Sequence, residues 1–507
     1  MKAQKPNKDL AKIKERLHEV SHLYAILRLM EWDQEVNMPP KGADARATAT
    51  SYLSTIAHNK FVALDDDGLL SKLKKDFDQG KLKGDESVIV AEVWRDYSRE
   101  KKIPAEFVKE ASEVYAKSQT VWIEARKKNN FALWQPWLEK VVKLKQQEAK
   151  FVGYQTTAYD ALLDSYEPGL TTTEATKVLS DLKDFLIPFL QEIKKSKLKI
   201  DLKRTWGKFP LDKQIAFNEF VAHKLGFDPE GGRLDKSVHP FSTNFHPSDI
   251  RMTTRYEEKD VLYSIGSTIH ETGHSLYEQN LPAEHFGTPL AEAISLGIHE
   301  SQSRLWENNI GKSLSFWQYF YPRLQKEFPT PFKKLPLPEF YQIINKVTPS
   351  LIRTEADEMT YNLHIILRFE LERDLINGKI KVKDLPKLWA NKMQGYLGIK
   401  VPKDSLGVLQ DVHWSAGLIG YFPTYSLGNL YAAQFFAKMK KDLPNLEQKI
   451  KQGDFSTINN WLKKNIHQHG KTYRAQDLVK KVTGQDLDSH FFTDYLTQKY
   501  RSIYSIK

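Results

Sequence analysis

The segment His270-Glu271-Thr272-Gly273-His274 spaces two imidazoles four residues apart, with a carboxylate directly after the first. On a helix, side chains four apart share a face with Cβ atoms about 5–6 Å apart, so both rings can address one ion. A glutamate one step on is placed to take a proton from water held by that ion. The spacing therefore assigns His270 and His274 as metal ligands and Glu271 as general base. The structural alternative is a pair of surface or core histidines that happen to flank a glutamate. Gly273 costs a helix interior about 1 kcal/mol relative to alanine. That cost makes sense where another segment must approach the backbone.

A catalytic zinc takes three protein ligands and keeps a fourth position open. The longer pattern that ends in a third histidine fails, because Tyr277 and Asn280 occupy its glycine and histidine positions. The third ligand must lie further on, and a carboxylate is expected. Thr288-Pro289 reads as an N-cap followed by proline at the first helical position. Leu290, Ile294 and Ile298 would form the buried stripe of this second helix, which would carry Glu292, His299, Glu300 and Glu307. Glu292 and Glu300 fall on broadly the same side, and periodicity does not choose between them.

The elements that must position these groups are helical. Leu10, Ile13, Leu17, Val20, Tyr24 and Leu27 recur at three and four, the stripe of an amphipathic helix. Similar patterns cover 105–127, 136–151, 174–195, 340–347, 358–377 and 474–482, and the metal helix shows Val261, Leu262, Ile265 and Ile269 before Pro282 ends it. The exception is 228–256, punctuated by Gly and Pro, where Val238, Phe241, Phe245, Ile250, Met252 and Thr254 suggest short strands beside the metal helix. No repeat and no long linker divides the chain. The expectation is a mostly α protein of one body, with residues 1–227 a helical lobe and lid, and residues 228–507 holding a small sheet and the metal site.

Composition narrows the chemistry. The 507 residues contain no cysteine, which excludes disulfides, thiol catalysis and cysteine-type zinc sites and leaves 15 histidines as the strong nitrogen ligands. The net charge of +11 comes from 75 basic against 64 acidic residues. These are interleaved along the chain rather than gathered in a patch, so a solvated surface is expected and not a nucleic-acid partner. Trp414 to Ala437 carries no charge, yet its glycines, Pro423, Asn429 and Gln434 make it too polar for a bilayer span. It reads as a buried helix pair with a break at Pro423. The N-terminal residues lack an apolar export core, so a cytoplasmic location is the default expectation. No phosphate-binding glycine loop or serine-nucleophile elbow occurs.

The motifs together resemble the thermostable carboxypeptidase Taq family of zinc metallocarboxypeptidases. The histidine pair is followed by His299-Glu300-Ser301-Gln302-Ser303-Arg304. Also in order are Trp32-Asp33-Gln34-Glu35 with Met38-Pro39, His239-Pro240-Phe241, Asp249-Ile250-Arg251-Met252-Thr253, Ile352-Arg353-Thr354-Glu355-Ala356-Asp357 and Gly407 to Trp414. The resemblance implies Glu300 as the third ligand rather than Glu292. It also implies one zinc per chain, with cobalt an acceptable substitute, a groove-containing helical fold, a homodimer, and removal of C-terminal residues from peptides with a free C-terminus.

Within that frame, attack on the scissile amide builds charge on its carbonyl oxygen, which needs a preorganised donor. His413, Tyr421 and Tyr425 are the candidates, with Tyr425 favoured because Gly420 to Tyr425 is similar to a tyrosine segment of related zinc peptidases. A guanidinium fork suits the terminal carboxylate. Arg353 is the first choice, followed by Arg251 and Arg255; each could instead serve a buried pair with Asp357, Asp249 or Asp411. Glu307 is placed to brace a ligand imidazole. Two rivals remain at this level: an oligoendopeptidase with the same centre, and a basic helical binding protein in which the histidine motif is fortuitous.

Overall fold

Helices dominate the computed structural model, which describes residues 7–506. The first amphipathic stripe forms Lys8–Val36, capped by the Asn7 side chain, and buries Leu10, Ile13, Leu17, Val20, Leu27 and Trp32. Tyr24 falls outside that buried face and is 40% exposed. The other stripes become Ala105–Lys128, Phe131–Val152, Thr172–Lys194, Leu337–Ile344, Glu358–Ile376 and Ala475–Thr483, each within a few residues of its pattern. Among the described residues, no helix is long and apolar enough to cross a membrane.

Two of the four apolar clusters among the described residues organise most of these helices. Leu10, Ile13, Leu64, Leu70, Ile89 and Val93 build a small one within the first hundred residues, joined from a distance by Leu290. The larger runs from Trp122 to Tyr504 and takes in Ile294 and Ile298. The three residues expected to form one helical stripe thus point into two different cores. This overturns the second helix as read from sequence. Pro289–Ala291 is only a 3-10 turn, Glu292 is extended, and the helix begins at Leu296 under a Ser295 cap.

Three short strands form in the predicted segment, β1 (Gly232–Lys236), β2 (Ser242–His246) and β3 (Asp249–Thr254); Phe245, Ile250, Met252 and Thr254 lie in them, whereas Val238 and Phe241 lie in the connection between β1 and β2. β3 is central, parallel to β1 and antiparallel to β2, with an irregularity between Asn244 and His246. Its Ile250 and Met252 are fully buried. The metal helix, Val261–Gln279, is capped by Asp260 and lies on this sheet: Thr272 Oγ1 reaches Met252 Sδ at 3.8 Å, and Ser275 meets Ser242 at 3.0 Å. The small sheet beside the metal helix is therefore its platform.

The uncharged stretch from Trp414 differs from its reading as a helix pair. His413–Ala416 is a single 3-10 turn, Gly417 and Gly420 adopt φ of +72° and +94°, and one helix, Pro423–Asp442, follows. Pro423 opens that helix rather than breaking one, because proline at N1 lacks only an N–H that would be unsatisfied anyway.

Three helices then converge on one point. The metal helix meets the glutamate helix Leu296–Arg304 at Gly273, where a β-carbon would lie 2.6 Å from the Gln302 carbonyl oxygen and 2.6 Å from Ser303 Cα. The helix Pro423–Asp442 meets it from another side at Gly428, where a β-carbon would lie 2.5 Å from Glu300 Cγ. The cost anticipated at Gly273 has its explanation in this close passage. Gly428→Ala is expected to lower stability by about 1–3 kcal/mol through overpacking, and to weaken metal binding by displacing Glu300. Urea unfolding together with metal titration checks both effects.

Candidate active site

His270, His274 and Glu300 come together at the crossing of the two helices. Glu300 Oε2 lies 3.7 Å from His270 Nε2 and 3.4 Å from His274 Nε2. Ligands about 2.1 Å from a tetrahedral ion stand about 3.4 Å apart, so the donor set fits a zinc-sized ion. Glu292, the alternative from spacing, is paired with Lys471 and lies outside the group.

The carboxylates here are held ionised by cations. Arg304 Nε donates to Glu300 Oε1 at 2.6 Å, its Nη1 donates to Glu307 Oε2 at 3.1 Å, and Ser303 Oγ donates to Glu300 Oε2 at 3.1 Å. Burial alone would raise the Glu300 carboxyl, but Arg304 and the two imidazoles hold it well below the usual range. Glu307 braces His270, as expected, with Oε2 2.8 Å from Nδ1. It reaches there from a π-helical turn, Leu305–Ile310, that continues the glutamate helix. Such turns are frequent at functional sites because they re-aim side chains.

Glu271 has a different environment. It is 6% exposed, and burial pushes its carboxyl up to about 7 despite nearby His270. Burial likewise lowers His274, to about 3.

The second group of predicted residues gathers around Tyr425. His413 Nε2 lies 3.3 Å from the Tyr425 hydroxyl, and the Tyr421 and Tyr425 rings meet edge-on at 5.3 Å. Tyr425 stands one turn before Gly428 on the same helix, so its neighbourhood is set by the contact that places Glu300. Burial keeps the Tyr425 hydroxyl well above its usual range and lowers His413 to about 4. Arg353 donates from Nε to Asp411 at 3.1 Å and from Nη1 to the Tyr361 hydroxyl at 3.1 Å, and its Cζ lies 5.0 Å from the centre of the Tyr425 ring. Arg368 also donates to Asp411, at 2.7 Å through Nε. Arg251 lies elsewhere, on β3, paired with Asp249 at 2.8 Å and stacked over Trp32 and Phe245. Arg255 pairs with Glu257 at 2.9 Å.

Residues 12–500 match the family model for Carboxypeptidase Taq (M32) metallopeptidases. The chain belongs to that family. This carboxypeptidase is 40% identical to carboxypeptidase 1 of Bacillus subtilis over 488 residues, which cover 96% of this chain and 97% of that one. It is equally 40% identical to thermostable carboxypeptidase 1 of Pyrococcus furiosus over 494 residues, covering 96% of each. Among solved structures, the M32 carboxypeptidase from Deinococcus radiodurans matches with a TM-score of 0.95 at 35% identity, over 99% of this chain and 100% of that one. Pyrococcus furiosus carboxypeptidase matches with a TM-score of 0.93 at 38% identity, over 98% and 99%. The enzyme is thus a metallopeptidase that releases C-terminal residues from peptides, with a His-His-Glu metal site.

Spacing could have found one residue that sequence reasoning passed over. Arg304 follows Glu300 by four, the interval at which helical side chains of opposite charge pair. Tyr361 and Glu372 carried no such signal. Glu372, fully buried, accepts from Trp414 Nε1 at 2.6 Å, from Tyr159 at 2.8 Å and from the Gly420 N–H at 3.1 Å. It thereby fixes the residue after His413 and the residue before Tyr421.

Burial raises the Glu372 carboxyl to about 7. The folded carboxypeptidase then binds more protons than the unfolded chain between the ordinary glutamate value and about 7, so this contribution is complete at acid pH and is lost as pH rises through about 7. Urea unfolding at pH 5 and pH 8 tests this. The wild type should lose stability relative to Glu372→Gln on going to pH 8, by an amount on the order of 1–3 kcal/mol.

Proposed function

We propose that the resident ion is zinc, with cobalt able to replace it, one per chain, held by His270, His274 and Glu300. When bound, such an ion acidifies its water and polarises a carbonyl. Glu271 takes the proton from the attacking water at its carboxylate and returns it to the leaving amine. A buried carboxyl with a raised proton affinity of about 7 suits both halves of that task. If His413 donates its Nε2–H to the Tyr425 oxygen, the tyrosine proton is free for the carbonyl oxygen of the scissile amide. Tyr421 packs the side of this donor pair.

The preference for chain ends rests on charge. Arg353 and Arg368 share the single carboxylate of Asp411, so two positive groups face one negative group and one positive charge is left over. That surplus lies against Tyr425, the proposed carbonyl donor. A terminal carboxylate and the last amide carbonyl are only about 4 Å apart in a peptide, so a cation beside the carbonyl donor selects a free C-terminus. Arg353 is the proposed clamp. Arg251, on the sheet and paired with Asp249, is the second candidate for that clamp. The cytoplasmic location and the homodimer belong to the same proposal, the latter supported by the family resemblance and checked by light scattering of the purified chain.

Glu271→Gln is expected to retain metal and lose about 10²–10⁴-fold in kcat. A C-terminally amidated peptide should resist cleavage by the wild type, while Arg353→Lys should raise KM for the free acid by about tenfold or more, since lysine offers no fork. Steady-state kinetics on the paired peptides, with metal content measured on each protein, decide all three. Equal cleavage of the amidated peptide would overturn the clamp.

A further inference from the structure

The two ligand imidazoles are held in different ways. His270 has the usual brace of a metal-bound imidazole, a carboxylate on its second nitrogen, supplied by Glu307 at 2.8 Å. His274 has none: its Nδ1 is buried and has no hydrogen-bond partner. What lies against His274 instead is the ring of His299, with centroids 4.5 Å apart and planes 22° from parallel. His299 is itself fixed. Its Nε2 donates to Glu278 Oε1 at 2.8 Å, and the Tyr277 ring lies 5.5 Å away. Tyr277 is pinned in turn, its hydroxyl accepting from the Ile294 N–H at 3.2 Å. The other oxygen of Glu278 accepts from the Asn244 side chain on β2, so the support runs back into the sheet.

An imidazole needs such support, because its second torsion is a broad two-fold well rather than three narrow ones. A swing of about 30° turns the Nε2 lone pair by roughly 15–20°, the angular tolerance a preorganised site allows. We infer that His299 is a positioning residue for His274, doing by ring stacking, anchored through Glu278 and Asn244, what Glu307 does for His270 by hydrogen bonding. This rests on the reading of His270, His274 and Glu300 as the metal ligands.

The test uses Co2+ as the probe on the full chain, reading its visible absorption bands and its affinity by competition with a chromogenic chelator. His299→Ala should weaken Co2+ binding by about 10–100-fold, the range for loss of a ligand's support, and should alter the bands. His299→Phe, which keeps a ring against His274, should recover most of the affinity and the wild-type bands. The inference is overturned if His299→Ala binds within about threefold of wild type with unchanged bands, or if the phenylalanine variant is as weak as the alanine one. Should the alanine variant not fold, Glu278→Leu, which removes the acceptor for His299 Nε2–H, carries the test: a loss of about threefold or more with shifted bands supports the anchor, and wild-type behaviour overturns it. Failure of the wild type to bind Co2+ at all would instead sink the ligand assignment itself.

Discussion

The close passage of three helices at Gly273 and Gly428 is the constraint on which the centre depends. Glu300 is contributed by a short helix wedged between the helix of the two histidines and the helix of Tyr425. Its carboxylate meets both imidazoles because neither neighbour has a side chain at the point of contact. One contact therefore fixes two relations at once, Glu300 to the imidazoles and Glu300 to the helix of Tyr425. A β-carbon at either glycine would have to be accommodated by moving backbone or Glu300 itself, since interiors packed at crystal density absorb little displacement.

Buried carboxylates around this point fall into two kinds, and their partners separate them. Glu300, Glu307 and Asp411 each face guanidinium groups and are held ionised well below the usual range. Glu167 and Glu372 accept three hydrogen bonds each, chiefly from neutral donors, and burial raises both to about 7. The first kind supplies fixed negative charge, Glu300 and Glu307 beside the two imidazoles and Asp411 between two guanidinium groups. The second kind secures backbone: Glu167 holds Ser295 and Gly297 at the start of the glutamate helix, and Glu372 holds the loop from His413 to Tyr421. Glu271 resembles the second kind in proton affinity but belongs to the centre, where a carboxyl that changes protonation near neutrality is useful.

Much of the helical framework was legible because apolar residues at intervals of three and four make a helix wherever a single face is buried. Two places defeated that reading. Leu290, Ile294 and Ile298 have helical spacing but serve two separate cores, so the chain between them is extended. The segment after Trp414 lacks charge because most of it is buried, and composition does not distinguish a buried loop with left-handed glycines from a buried helix. Arg353 shows a related limit. Its motif marked it, yet that it shares Asp411 with Arg368 follows only from which helices lie together.

The sequence by itself determined the two imidazoles and Glu271, because an interval of four on a helix is a local property that survives any packing. It also determined, through the resemblance, that Glu300 was the third ligand to expect. Tertiary structure alone decided how Glu300 reaches the histidines, why His270 is braced by a carboxylate while His274 leans on another ring, and where the surplus positive charge sits. Those are relations between segments far apart in the chain. Contacts at such distances are set by which faces exclude water together and which glycines let backbones touch, and no local interval encodes them.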